Sequence, residues 1–236
     1  MRRSFERILF DLDGTLIDHF EAIHEAYRFA QESLGLPPAD YEKVRRTVGG
    51  SVPVTMRRLV GEEAPDETVD RALALFDQRF SEIMLGRVTV LPGIREWLPE
   101  LAREAVPLAV FTNKKGPHAR AVLAHLGLDR FFDFVVGAGD TPFRKPQPEF
   151  TDHVLALTGA RPERTLLVGD SPFDVEAART RRLPMAAVAT GSHAADELRE
   201  AGADWTFPDA NALRAWWRGG ADSPAEAPSG LPDGGA

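Results

Sequence analysis

Short, nearly unbroken apolar runs alternate with amphipathic stretches, and this alternation limits what the chain can fold into. Ile8-Leu-Phe10, Pro107–Phe111, Phe134–Gly137, Thr165–Gly169 and Met185–Ala189 are too short for helices. Their continuous hydrophobicity is that of strands covered on both faces. Helical periodicity fills the intervals. The stretch 93–104 puts Ile94, Trp97, Leu98 and Leu101 on one face, and further helices are predicted from Gly116-Pro117 to Leu126, over 149–158 and over 173–181. Glu197–Ala201 lies in a helix, Trp205-Thr-Phe207 reads as a short edge strand, and Ala210–Trp217 is a last helix capped by Asp209. Strand and helix in strict alternation predict an α/β fold, a doubly wound parallel sheet.

One long interruption breaks the alternation after the first strand. Phe20, Ile23, Ala26, Tyr27, Ala30 and Leu34 recur at threes and fours, and Leu-Gly-Leu-Pro-Pro over 34–38 stops that helix. Shorter helices are predicted at 40–47, 52–60 and 66–84, the last with Asp66 as N-cap. Nothing between about 17 and 85 resembles a buried strand, so the segment reads as an all-helical insert. The predicted organisation is a core of 1–16 and 88–218, a helical cap of 17–87, and a tail of 219–236. The tail is Gly, Pro, Ala, Ser and acid with Leu231 its one large apolar residue, a composition expected to be disordered.

Composition narrows the function classes. The 236 residues are 43% hydrophobic and 27% charged, ordinary for a globular protein. No apolar run approaches the roughly 18 residues that span a bilayer, and no secretory apolar region precedes Asp11, so a cytoplasmic protein is expected. There is no cysteine, which excludes thiolate nucleophiles, disulfides and cysteine-based zinc sites. A net charge of −8 argues against nucleic-acid or anionic-membrane partners. An anionic substrate would need concentrated positive charge or a metal.

In an open parallel sheet, ligands bind beyond the carboxyl ends of the strands. There the first strand delivers Asp11 and Asp13, two acids on one face of an extended chain, followed by Gly14 for a tight turn. The second ends in Thr112-Asn113, the third is followed by a loop carrying Arg144 and Lys145, and the fourth ends in Asp170 with Asp174 one turn on. Acids this close repel unless a cation sits among them. A hard divalent ion such as Mg2+ could be held by Asp11, a carbonyl near Asp13, and Asp170. Thr112 and amides near Gly116 would donate to phosphate oxygens, and Lys145 would offset developing charge. The inventory suits phosphoryl transfer. Each piece alone is an ordinary turn, cap or loop residue; the signal is their conjunction in order.

With those residues in place, the chain resembles the haloacid dehalogenase-like (HAD) hydrolase superfamily from about residue 5 to 210. Asp11-Leu-Asp-Gly-Thr15 matches its first motif, Thr112-Asn113 the second, Lys145-Pro146 the third, and Gly169-Asp170-Ser-Pro-Phe-Asp174 the fourth. The resemblance implies a Rossmann-like core with a small helical cap and a covalent mechanism. Asp11 would be nucleophile and Asp13 proton carrier, with Mg2+ on Asp11, the Asp13 carbonyl and Asp170. Asp174 would orient Lys145 or a metal water, with Ser171 a supporting hydrogen bonder.

Within the superfamily, the presence of Asp13 disfavours dehalogenation. Lys43, the one cap lysine, looks too exposed for a phosphonatase Schiff base. Thr15 after Gly14, and Ile23 near the histidine position of sugar phosphomutases, disfavour a beta-phosphoglucomutase-like phosphotransferase, which stays as an alternative beside a catalytically idle binding relative. Thr112-Asn113-Lys114 is most similar to phosphoglycolate phosphatases. The implied substrate is a small phosphorylated metabolite, handled by a monomer or dimer. Cap specificity is expected from Arg45-Arg46-Thr-Val-Gly-Gly-Ser51, with Arg45, Gly50 and Ser51 at the ligand and Arg46 or Arg57 as further carboxylate binders. His19 reads as an ordinary surface histidine near the entrance.

Overall fold

The computed structural model describes residues 5–219; all of the expected tail except Gly219 lies outside them. The strands in chain order are β1 (Arg7–Phe10), β2 (Ile17–Asp18), β3 (Thr89–Val90), β4 (Leu108–Lys115), β5 (Phe134–Ala138), β6 (Thr165–Gly169), β7 (Met185–Val188) and β8 (Trp205–Phe207). The helices are α1 (Phe20–Ser33), α2 (Tyr41–Arg45), α3 (Val52–Val60), α4 (Asp66–Ile83), α5 (Ile94–Arg103), α6 (Gly116–Leu126), α7 (Pro148–Thr158), α8 (Pro172–Thr180), α9 (Ala195–Ala201) and α10 (Ala210–Trp217).

Six strands form one parallel sheet in the order β5-β4-β1-β6-β7-β8. Phe10 stands opposite Val110 on one side and Val168 on the other. The apolar run of β1 is therefore central, with both faces covered. Ile8 and Phe10 enter a core with Trp97, Leu101, Val110 and Val168, while Leu9 faces Phe111, Phe150, Leu167 and Val175. Phe10 meets Trp97 edge-on, with ring centroids 5.5 Å apart. The chain builds outward from β1 through β4 and β5, then returns to β6 on the other side. The switch point thus falls at β1, between the ends of β4 and β6. No helix among the described residues is long and apolar enough to cross a membrane.

Helices α1–α4 pack on one another between β2 and β3, and their interior is the periodic face predicted from the sequence. Phe20, Ile23, Ala26, Tyr27 and Ala30 of α1 are buried, as are Val69, Ala72, Phe76 and Phe80 of α4. Two local expectations change. The insert is entered and left through an antiparallel pair, Ile17 opposite Val90 and Asp18 opposite Thr89, so Ile17 belongs to a strand, one too short to show periodicity. Pro65, not Asp66, is the N-cap of α4; Asp66 pairs instead with Arg57.

Candidate active site

The parallel ladder delivers the first carboxylate. Asp11 N–H donates to the Val168 carbonyl at 2.9 Å, which carries β1–β6 pairing one residue past the strand and turns the side chain into the rim. Gly14 follows with φ +85°, and a Cβ there would lie 2.4 Å from Asp170 Oδ2. Only glycine lets this turn pass so close to the second acid. Thr15 Oγ1 donates to Asp170 Oδ1 at 2.9 Å.

Lys145 Nζ lies 2.9 Å from Asp11 Oδ1 and 2.5 Å from Asp174 Oδ1, all three side chains being essentially without exposure. Asp174 is fully committed, because its Oδ2 also accepts from Ser171 N–H (3.1 Å) and Ser171 Oγ (2.6 Å) at the start of α8. This is a capping box, and it fixes the carboxylate that grips Lys145. Burial pushes the Asp11 carboxyl up to about 6 against the pull of Lys145. Burial and the charges of Asp11 and Asp174 push Asp170 well above the usual carboxylate range. Burial opposes the Lys145 charge, but Asp11 and Asp174 outweigh it and raise its pKa.

Asp13 sits in a different environment. Lys114 Nζ contacts both its oxygens at 2.9 Å and lies 4.6 Å from the Phe80 ring centroid. His19 Nδ1 is 3.5 Å from Asp13 Oδ1, while its Nε2 is 2.8 Å from the Met84 carbonyl. Burial alone would raise the Asp13 carboxyl, but Lys114 and His19 hold it well below the usual range. Burial and Lys114 in turn lower the His19 pKa. His19 is therefore a buried neighbour of Asp13, which corrects its reading as a surface residue. The sequence also assigned no role to Lys114. The adjacency of β1 and β4 was the available signal, since it brings Asp13 and Lys114 to the same rim.

Asn113 acts as a clamp. Its Oδ1 accepts from Lys145 N–H at 2.8 Å, and its Nδ2 donates to the Lys145 carbonyl (3.0 Å) and to the Gly49 carbonyl of the insert (2.9 Å). Thr112 Oγ1 accepts from Lys114 N–H at 3.2 Å and faces the cavity. Gly49 has φ +94°, and a Cβ there would be 2.8 Å from Ser171 Oγ. The glycines of the 45–51 loop thus serve close approach to the core.

The loop arginines also differ from expectation. Arg45 donates to the Gly191 carbonyl at 2.6 Å; Arg46 donates to the Ser192 carbonyl (2.9 Å) and pairs with Glu197 (2.6 Å). Arg57 donates to the Ala64 carbonyl at 2.7 Å and pairs with Asp66. Each finds a partner far along the chain or on a neighbouring turn, so none lines the cavity. Ser51 stands at the start of α3, also outside the lining. Of the expected 45–51 loop, Thr47, Val48, Gly49 and Gly50 border the cavity, which has a volume of ≈ 170 Å³ and opens onto Asp11, Asp13, Thr112 and Asn113.

The donor chemistry fits a hard cation. Asp11, Asp170 and Asp174 bring carboxylate oxygens within 4.8 Å of one another, and Asp11 Oδ1 is buried with Lys145 Nζ 2.9 Å away. An all-oxygen set of mutually repelling carboxylates is what a divalent ion of this kind takes. Asp174 is the least available of the three, because Lys145 and Ser171 already occupy both its oxygens.

A family profile described as haloacid dehalogenase-like hydrolase matches residues 8–188. A phosphoglycolate phosphatase of Chromobacterium violaceum is 34% identical over 208 residues, covering 86% of this chain and 92% of the relative. Phosphoglycolate phosphatase 1 of Pseudomonas aeruginosa is 35% identical over 189 residues, covering 78% of this chain and 69% of the relative. Among solved structures, a predicted phosphoglycolate phosphatase from Haemophilus somnus superposes with a TM-score of 0.83 at 26% identity, covering 90% of this chain and 98% of that one.

Proposed function

Because this chain belongs to the haloacid dehalogenase-like hydrolases, and is a phosphatase among them, we propose that it is a cytoplasmic, Mg2+-dependent phosphomonoester hydrolase working through a phosphorylated Asp11. One observation carries the reading: the buried Asp11 carboxylate stands beside Lys145 and Asp170 at the switch point and borders the cavity. The relatives' names make a small phosphomonoester the substrate class. The insert 17–87 acts as the cap over a core of 1–16 and 88–218. Every site residue comes from one chain, so a monomer or a dimer serves equally.

Asp11 attacks phosphorus as the bond from phosphorus to the leaving oxygen breaks, and Asp13 gives that oxygen a proton. Water then attacks the Asp11 phosphoryl group, Asp13 takes the water's proton, and inorganic phosphate departs. In the free protein Lys114 holds Asp13 ionised. An arriving phosphate dianion competes for Lys114 and raises the Asp13 pKa, which loads the acid for the first step. Lys145 offsets charge on Asp11 and the phosphoryl oxygens, positioned by Asp174 and, through the backbone, by Asn113. Thr112 donates to a phosphoryl oxygen. Asp11, Asp170 and the Asp13 carbonyl would hold Mg2+, which when bound neutralises phosphoryl charge.

Ile23 borders the cavity where a mutase would need its histidine, and His24 turns away to the Ala39 carbonyl at 3.0 Å. Both features favour hydrolysis over transfer between positions of a sugar. The test is release of inorganic phosphate from a generic aryl phosphate with Mg2+, abolished by Asp11→Asn and by EDTA. Folded protein inert across a broad panel of phosphate esters would overturn the reading.

A further inference from the structure

The cavity beyond the carboxylates has a chemistry of its own. Its wall inside the insert is Ile23, Tyr27, Val52, Leu73, Phe76 and Phe80. Tyr27 and Phe76 are 4.5 Å apart between centroids, and Phe76 and Phe80 stack 5.7 Å apart with planes at 5°. The Tyr27 hydroxyl is turned to the Val52 carbonyl at 3.4 Å, and burial raises its pKa, so the phenol stays neutral.

The charges bordering this wall are already paired. Lys114 is on Asp13, and Lys115 Nζ is 2.7 Å from Asp77 Oδ1. Burial lowers the His118 pKa, which favours its neutral form. The arginines of the 45–51 loop are engaged with core carbonyls and Glu197. Among the described lining residues, no unpaired cation faces the end of the cavity that would receive the leaving alcohol. A leaving group bearing a carboxylate would lie against aromatic rings and Asp77, and a sugar would set most of its hydroxyls against the apolar wall of Ile23, Tyr27, Val52, Leu73, Phe76 and Phe80.

Resting on the phosphatase reading above, we propose that the preferred substrate is the phosphomonoester of an apolar alcohol carrying a single ring-sized group. The ≈ 170 Å³ space must also take the phosphoryl group at Asp11, so beside a roughly 150 Å³ cavity that admits benzene it has room for one ring-sized group and no more. The aromatic wall would cover the ring face while the phosphoryl group stays at Asp11.

The test compares benzyl phosphate with 2-phosphoglycolate and glycerol 3-phosphate, all esters of alkyl alcohols, using acetyl phosphate as a donor too small to fill the wall. We expect kcat/KM for benzyl phosphate to exceed those of the two polar esters by about ten-fold or more, as burial of one ring implies. Leu73→Asn, at a half-buried position, and Phe76→Ala should each lower the ratio of benzyl phosphate to acetyl phosphate turnover. A polar ester outrunning benzyl phosphate, or a ratio unmoved in the folded Leu73→Asn protein, overturns this substrate class while leaving the phosphatase intact. Folded wild-type protein that turns over neither these four phosphates nor any of a broad panel of phosphate esters overturns the phosphatase reading and this one with it.

Discussion

Lys114 holds both carboxylate oxygens of Asp13 at 2.9 Å, across the adjacent ends of β4 and β1, in a setting where both side chains are almost fully buried. Removing one partner from such a pair costs more than the pair contributes, because the other charge is left buried alone. Lys114→Met should destabilise the fold by about 3–5 kcal/mol. The Asp13 carboxyl is lowered in the folded state, so its contribution is fully present above the unfolded carboxylate value and is lost as pH falls below it. The stability gap between wild type and variant should therefore be constant from about pH 5 upward and shrink in stronger acid, as read by urea unfolding at each pH.

Asp11→Asn should separate activity from stability. Burial penalises the Asp11 charge and pushes its carboxyl up to about 6. A neutral amide removes that penalty, so the melting temperature should stay the same or rise. Phosphatase activity should fall roughly 10⁴-fold or more, as when a nucleophile is deleted. Calorimetry and a phosphate-release assay on one preparation check both.

Divalent-ion binding should depend on pH in a defined direction. Metal ligands must be ionised, and Asp11 and Asp170 both have raised carboxyl pKa values. Mg2+ affinity should rise with pH through about 6, where Asp11 ionises, with protons released on binding there. Titration calorimetry in two buffers of different ionisation heat measures the release. Activity lost to EDTA should return when Mg2+ is restored.

The Arg46–Glu197 pair joins the 45–51 loop to the start of α9, and Arg46 also donates to the Ser192 carbonyl. Both side chains are largely exposed, so salt screens their attraction. Arg46→Ala should raise KM by roughly two- to five-fold with a smaller change in kcat, and should flatten the salt dependence of KM. Steady-state kinetics at low and high ionic strength tests this.

The residues that sequence reasoning placed well are those whose position follows from local pattern. Ile8–Phe10 had to be a doubly covered strand, so Asp11 and Asp13 had to emerge at its carboxyl end; the same logic placed Thr112 on β4 and Asp170 just past β6. His19, Lys114 and the loop arginines escaped it because their partners are distant. His19 meets Met84 across the whole insert, and Arg45 reaches Gly191 from 146 positions away. A helical pattern also shows which face of α4 is buried, but not that Phe76 and Phe80 stop short of closing the space over Asp13. That depends on how α1, α3 and α4 meet.

Asp174 links two processes that are usually measured separately. One of its oxygens completes the N-terminal turn of α8 through Ser171, and the other holds Lys145 against Asp11. The helix cannot fray at that end without releasing the Lys145 ammonium, and Lys145 cannot be displaced without loosening the cap. Under heat or denaturant, turnover should therefore disappear with the protection of the first α8 amides against hydrogen exchange, even while the rest of the sheet remains folded. The chemistry is only as durable as one turn of helix.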